Sequence, residues 1–132
     1  AFYSAEQDNR VLAVINLDGT IFNSEGKTID QPFMYMQNNS GYDHTIFEQV
    51  NNDGYAVTFE NQITHLSFSD FVLFWQWDFP NNHPFGAMDS QKALFLVSDL
   101  SREFFRKYFD GLSAPMLDEF ESQPEIIKIT KF

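Results

Sequence analysis

The first half of the chain alternates short apolar bursts with turn-forming residues. Residues 10–16 are rich in β-branched side chains (Val11, Val14, Ile15), and Asp18-Gly19 follows, a dipeptide that favours a tight hairpin turn. Residues 20–24 then predict a returning strand, and residues 28–36 a third strand, placed at a sheet edge by Pro32. Residues 37–43 are polar and read as a loop. Residues 45–50 predict a strand, Asn51-Asn52-Asp53-Gly54 a turn, and residues 55–60 a half-buried strand with alternating apolar positions. A turn at Asn61-Gln62 and a strand over residues 63–66 complete a meander of hairpins.

The period then changes. Ser67 with Asp70 has capping-box spacing, and Phe68, Phe71, Val72 and Trp75 recur at i, i+3, i+4, i+7. That pattern predicts a helix ending near Trp77. Residues 80–90 hold two prolines and read as an irregular loop. Residues 92–97 look like a buried strand. Asp99 then caps a second helix whose apolar face is Leu100, Phe104, Phe105 and Tyr108, with Gly111 as its C-cap. Ser113 and Pro115 start a short third helix, and residues 125–132 form a last strand. The expectation is an α+β fold: a mainly antiparallel sheet built from hairpins, with two or three helices toward the C-terminal half, in one domain over residues 1–132.

Composition sharpens this picture. A chain of 132 residues buries roughly two thirds of its unfolded surface, so it needs no covalent staple. There is no cysteine, which excludes a disulfide framework and zinc-finger spacing. Sixteen phenylalanines supply a well-filled core. No leader pattern is visible, and no apolar run approaches the ~20 residues that span a bilayer, so a cytoplasmic location with no membrane contact is expected.

Charge bears on partners. The formal net charge is −11, and residues 11–91 carry −9 of it, with Lys27 as their one base. Such a surface repels nucleic acid and attracts cationic proteins.

Two resemblances stand out. Asn16-Leu17-Asp18-Gly19-Thr20 at the end of a strand resembles the first motif of haloacid-dehalogenase-type phosphatases. The position of that family's nucleophilic aspartate holds Asn16, whose amide cannot form an aspartyl-phosphate, so only Asp18 at the acid position matches. Residues 52–59 followed by Leu66-Ser67-Phe68-Ser69-Asp70-Phe71 are similar to the late part of SMI1/KNR4-like domains, many of which are bacterial immunity proteins. The three histidines, His44, His65 and His83, show no metal-ligand spacing; His65 is expected on a strand, at the surface or half-buried. No phosphate loop or nucleophile elbow appears, and no cofactor is expected.

The function expected from these observations is a non-enzymatic inhibitor: an acidic immunity or antitoxin-type protein that neutralises a basic toxin domain by direct contact. Asp43, Glu48, Asp53, Glu60 and Asp78 are its candidate contacts, with Trp77 as aromatic anchor. The alternatives are a phage-encoded nucleic-acid mimic, a structural subunit, and a small hydrolase. The hydrolase would assemble its site from distant residues, with a histidine beside carboxylates.

Overall fold

The computed structural model describes residues 1–21, 26–39, 44–72, 85–119 and 128–132. Its centre is a four-stranded sheet in the order β1 (Val14–Leu17), β2 (Phe33–Gln37), β3 (Gly54–Thr58), β4 (Lys128–Lys131). β1 pairs with β2 and β2 with β3 in parallel, and only β4 runs antiparallel to β3. The fold is therefore α+β with a mixed sheet. The predicted hairpin meander is corrected: parallel neighbours cannot be joined by two-residue turns and need longer crossovers.

Burial explains the parallel arrangement. Every residue of β2 and β3 is buried, as expected of strands covered on both faces. Alternate residues of β2 feed two different cores. Met34 and Met36 join Tyr55, Val57, Phe59 and the apolar face of a long helix, whereas Phe33 and Tyr35 join Val14, Ile29, Ile46 and Val50 on the other side. Helix α1 (Phe2–Gln7), which the periodicity did not announce, closes the second core by packing Phe2 edge-on against Phe33. Pro32 precedes the central strand β2 instead of marking an edge; its carbonyl accepts the Val14 N–H at 2.9 Å.

The long helix α2 runs over Ser90–Asp110. Residues 92–97 were expected as a strand because Leu94-Phe95-Leu96-Val97 is a continuous apolar run. In the helix that run divides: Ala93, Leu96, Val97, Leu100 and Phe104 face the core at helical spacing, while Phe95 turns outward. Asp89 caps the start by accepting the Lys92 N–H at 3.0 Å. Gly111 ends the helix in the left-handed conformation, as anticipated. The short helix α3 (Pro115–Asp118) follows with Pro115 in its first turn.

Two further predicted strands are 3-10 helices. His44–Gln49 replaces the strand expected over residues 45–50, and His65–Phe68 replaces the one expected over 63–66. Most of the helix expected through Trp77 lies outside the described residues. Phe71, assigned to its core stripe, is exposed, while Val72 is buried.

The N-terminal end of β3 is fastened by a polar cluster. The Tyr55 hydroxyl hydrogen-bonds the Asp118 carboxylate, and the Lys107 ammonium donates to the Tyr55 hydroxyl at 2.6 Å and to both Asp118 oxygens at 2.7 and 2.6 Å. Burial pushes the Tyr55 pKa well above its usual value, and the Asp118 carboxylate pushes it further, so the phenol stays protonated. Burial also pulls the Asp118 carboxyl upward, but the hydrogen bonds from Lys107 and Tyr55 outweigh it and leave its pKa below the usual range. The cluster joins α2 and α3 to the sheet.

Candidate functional site

In sheets with parallel strands, functional groups gather beyond the carboxyl ends of those strands. Here the chain leaves β1 through Asp18, leaves β2 through Asn38, and reaches His65 seven residues after β3. Asp18 and His65 meet there: His65 Nδ1 lies 3.0 Å from Asp18 Oδ2. The Asp18 side chain is 3% exposed and the His65 side chain 68% exposed. A buried carboxylate thus holds one nitrogen of an imidazole whose body is open to solvent.

Each partner is fixed by its own loop. Asp18 continues the ladder through its N–H to the Met36 carbonyl at 2.7 Å. Its Oδ1 accepts the Asn38 N–H at 2.9 Å, so each carboxylate oxygen has a partner. The residue adopts a left-handed conformation, φ 52°, and its side chain is buried. The expected hairpin turn at Asp18-Gly19 is therefore the end of a parallel strand with its acidic side chain turned inward.

His65 opens a 3-10 turn that Ser67 ties down. Ser67 is fully buried; its Oγ accepts the Thr64 N–H at 3.1 Å and donates to the Phe85 carbonyl at 2.8 Å. Ser67 thus belongs to a capping arrangement with Thr64, not to the Ser67–Asp70 box read from the sequence. The preceding loop is anchored by the Met88 N–H on the Gln62 carbonyl at 2.8 Å and by Asn61 N–H on the Asn38 carbonyl at 2.6 Å. Gly86 is required there: with φ 91°, an added Cβ would stand 2.5 Å from the Gln62 carbonyl oxygen and 2.7 Å from Ile63 Cα.

Chemically, a carboxylate on Nδ1 selects the tautomer that carries its proton there. The outer nitrogen, Nε2, is then a base facing solvent, and the carboxylate steadies the imidazolium formed when it takes a proton. Among the described residues no hydroxyl hydrogen-bonds His65. Leu17 and Leu66, the chain neighbours of the pair, are exposed. Among the described residues no group of three or more His, Asp or Glu is arranged to hold a metal ion.

In fold the chain is similar to a ferulic acid esterase from Streptomyces cinnamoneus. The TM-score is 0.78 at 21% sequence identity, over 92% of this chain and 41% of that chain. The chain thus spans about two fifths of the esterase it matches. No family model and no curated protein matches it.

This finding corrects the leading expectation. Acidity and the lack of a readable motif point to a non-enzymatic immunity or antitoxin protein, but the fold is similar to that of a ferulic acid esterase, and the described residues bring an aspartate and a histidine together. At the positions that resemble the phosphatase motif, the Asn16 side chain is bonded to the Gly19 backbone and Asp18 contacts His65.

The three described residues among the proposed partner contacts lie on separate segments. Asp53 is exposed beside β3 and forms an ion pair with Lys131 at 3.5 Å; Glu48 is exposed on the first 3-10 helix; Glu60 sits in a turn with φ 43°. Asp43, Asp78, Trp77 and His83 lie outside the described residues, as does the side chain of His44. The site was missed because its two residues are 47 positions apart, which no local pattern reveals. The usable signal was an acid directly after one strand and a histidine shortly after another. No helix among the described residues is long and apolar enough to cross a membrane.

Proposed function

We propose that the chain supplies the acid and base of a nucleophile–histidine–acid hydrolase acting on esters. Asp18 is the orienting acid and His65 the general base. The observation that carries this reading is the 3.0 Å contact between a buried Asp18 and a solvent-facing His65 beyond the ends of adjacent parallel strands. The fold likeness to a ferulic acid esterase supports an ester as substrate, with ferulic acid esters the first to try.

The roles follow from the atoms. His65 Nε2 takes the proton of an attacking serine hydroxyl and later returns it to the leaving alcohol. Asp18 keeps Nδ1 protonated and offsets the positive charge on the ring. The attacking serine is the third member of this proposed triad. Exposed Leu17 and Leu66 would give the acyl group an apolar border.

The test is the initial rate of hydrolysis of p-nitrophenyl and feruloyl esters by the full gene product and its His65→Gln variant. A rate that falls by about a thousandfold or more in the variant supports the proposal. Equal rates in the two proteins, or no hydrolysis by either, would overturn it.

A further inference from the structure

Asp18 can orient His65 only if its own backbone is held in the left-handed bend at φ 52°. The side chain of Asn16 performs that task. Its Oδ1 accepts the Gly19 N–H at 2.7 Å, and its Nδ2 donates to the Gly19 carbonyl at 3.0 Å. Both polar groups of Gly19 are thereby bound by one amide. Tyr35, the partner of Asn16 in the β1–β2 register, adds its hydroxyl to the same Gly19 carbonyl at 3.3 Å. With residues 16 and 19 locked together, the two residues between them have little freedom, and one of them is Asp18.

The geometry points to Asn16 as a positioning residue for the Asp18–His65 pair, an inference that rests on the hydrolase reading above. The chemistry is selective for an amide. Gly19 presents a donor and an acceptor, so its partner must offer an acceptor and a donor on one short side chain. A carboxylate has no donor and would place a second negative charge two residues from Asp18. Glutamine carries the same groups one methylene too far. Gly19 is the other half of the fit: a Cβ there would lie 2.8 Å from Asn16 Oδ1 and drive the amide away. The feature that sets this chain apart from the phosphatase motif, an amide where that motif has a carboxylate, thus has a function of its own.

The tautomer of His65 reports on this role, because loss of stability alone would not change it. The experiment is nitrogen–proton correlation NMR on histidine-labelled full-length protein at about pH 8, above the ordinary histidine pKa of about 6.5. His65→Gln assigns the signal. In the wild type, His65 should carry its proton on Nδ1. In Asn16→Ala and Asn16→Asp, in protein that remains folded by circular dichroism, the signal should shift toward the Nε2–H form. Asn16→Ser, whose hydroxyl keeps an acceptor for the Gly19 N–H, should retain more of the wild-type signal and stands in should Asn16→Ala not fold. A wild type with its proton on Nδ1 and variants identical to it would overturn the role of Asn16 alone. A wild type with its proton on Nε2 would overturn the Asp18–His65 reading beneath it.

Discussion

Replacing Asp18 by asparagine isolates the electrostatic part of the site from its shape. The two side chains are isosteric, and the asparagine oxygen can still accept the Asn38 N–H that Asp18 Oδ1 accepts at 2.9 Å. What changes is the face toward His65. Where Asp18 Oδ2 accepts from Nδ1 at 3.0 Å, the variant presents an N–H, so Nδ1 must become the acceptor and the ring proton must move to Nε2. The imidazole is then protonated on the nitrogen that should act as base, and its conjugate acid has no counter-charge. In a triad hydrolase this exchange lowers kcat about ten-thousandfold, or about 5 kcal/mol of transition-state stabilisation. KM should stay within a few-fold, because no substrate contact is removed. Stability should be little affected, since a buried charge is exchanged for a hydrogen-bonded amide of the same volume. The assay is steady-state ester hydrolysis beside a thermal melt, with the double variant Asp18→Asn/His65→Gln included. Residues acting as one unit are non-additive, so the double variant should be no slower than His65→Gln alone. A folded Asp18→Asn protein with less than a tenfold loss in kcat would refute the assignment of Asp18 as orienting acid.

Other parts of the structure give further expectations. Phe104 is fully buried and meets Tyr55, Phe105 and Tyr108 edge-on at centroid distances of 6.4, 5.6 and 4.9 Å. Phe104→Ala should therefore cost about 3–5 kcal/mol in urea unfolding, and a cost under about 1 kcal/mol would contradict that packing. Gly86→Ala should lose about 1–3 kcal/mol through backbone clash at Gln62 and Ile63; an unchanged melting temperature would show that the loop gives way. The depressed pKa of Asp118 sets a pH dependence. Its contribution is complete above the unfolded value of about 3.9 and fades as pH falls through the lower folded value. Asp118→Asn should thus lose less urea stability than wild type between about pH 6 and pH 3, and an equal loss in both would contradict the sign.

Some elements could be read directly from the sequence. The strand after residues 51–54 is present, and so are the Gly111 cap and the short helix at Pro115, whereas Gly54, expected in a turn, opens the strand. These features depend on local chemistry: φ preferences, alternation and the fixed φ of proline. Sheet direction depends on which strands find each other, and alternation alone does not carry that information. A dipeptide such as Asp18-Gly19 fits a hairpin turn and a left-handed exit from a parallel strand equally well. Residues 94–97 show the second limit, because a run of four apolar residues satisfies a buried strand and the inner side of a long helix alike. The inward faces of α2 settle the matter only when Ala93, Leu100 and Phe104 are counted with them.

The candidate site was less accessible still. The sequence marks Asp18 as a carboxylate in a chemical motif and allows a hydrolase site assembled from distant residues, but it does not say which histidine would join it, and His65 reads as a surface or half-buried residue of a strand. The contact exists because β1 and β3 flank β2 and point the same way, a consequence of three-dimensional pairing. The acidity that suggested a cationic partner is real, yet Asp53 is spent on Lys131 and Asp18 on His65. Net charge described the surface and said nothing of the chemistry beneath it.

A nucleophile activated by Asp18 and His65 is open to covalent labelling. The full gene product would be treated with a fluorophosphonate, which reacts only with an activated hydroxyl, and the adduct located by peptide mass spectrometry. One modified serine is expected, labelled quickly in the wild type and at least a hundredfold more slowly in His65→Gln. A folded protein that forms no adduct, or one labelled equally fast without His65, would contradict that activation.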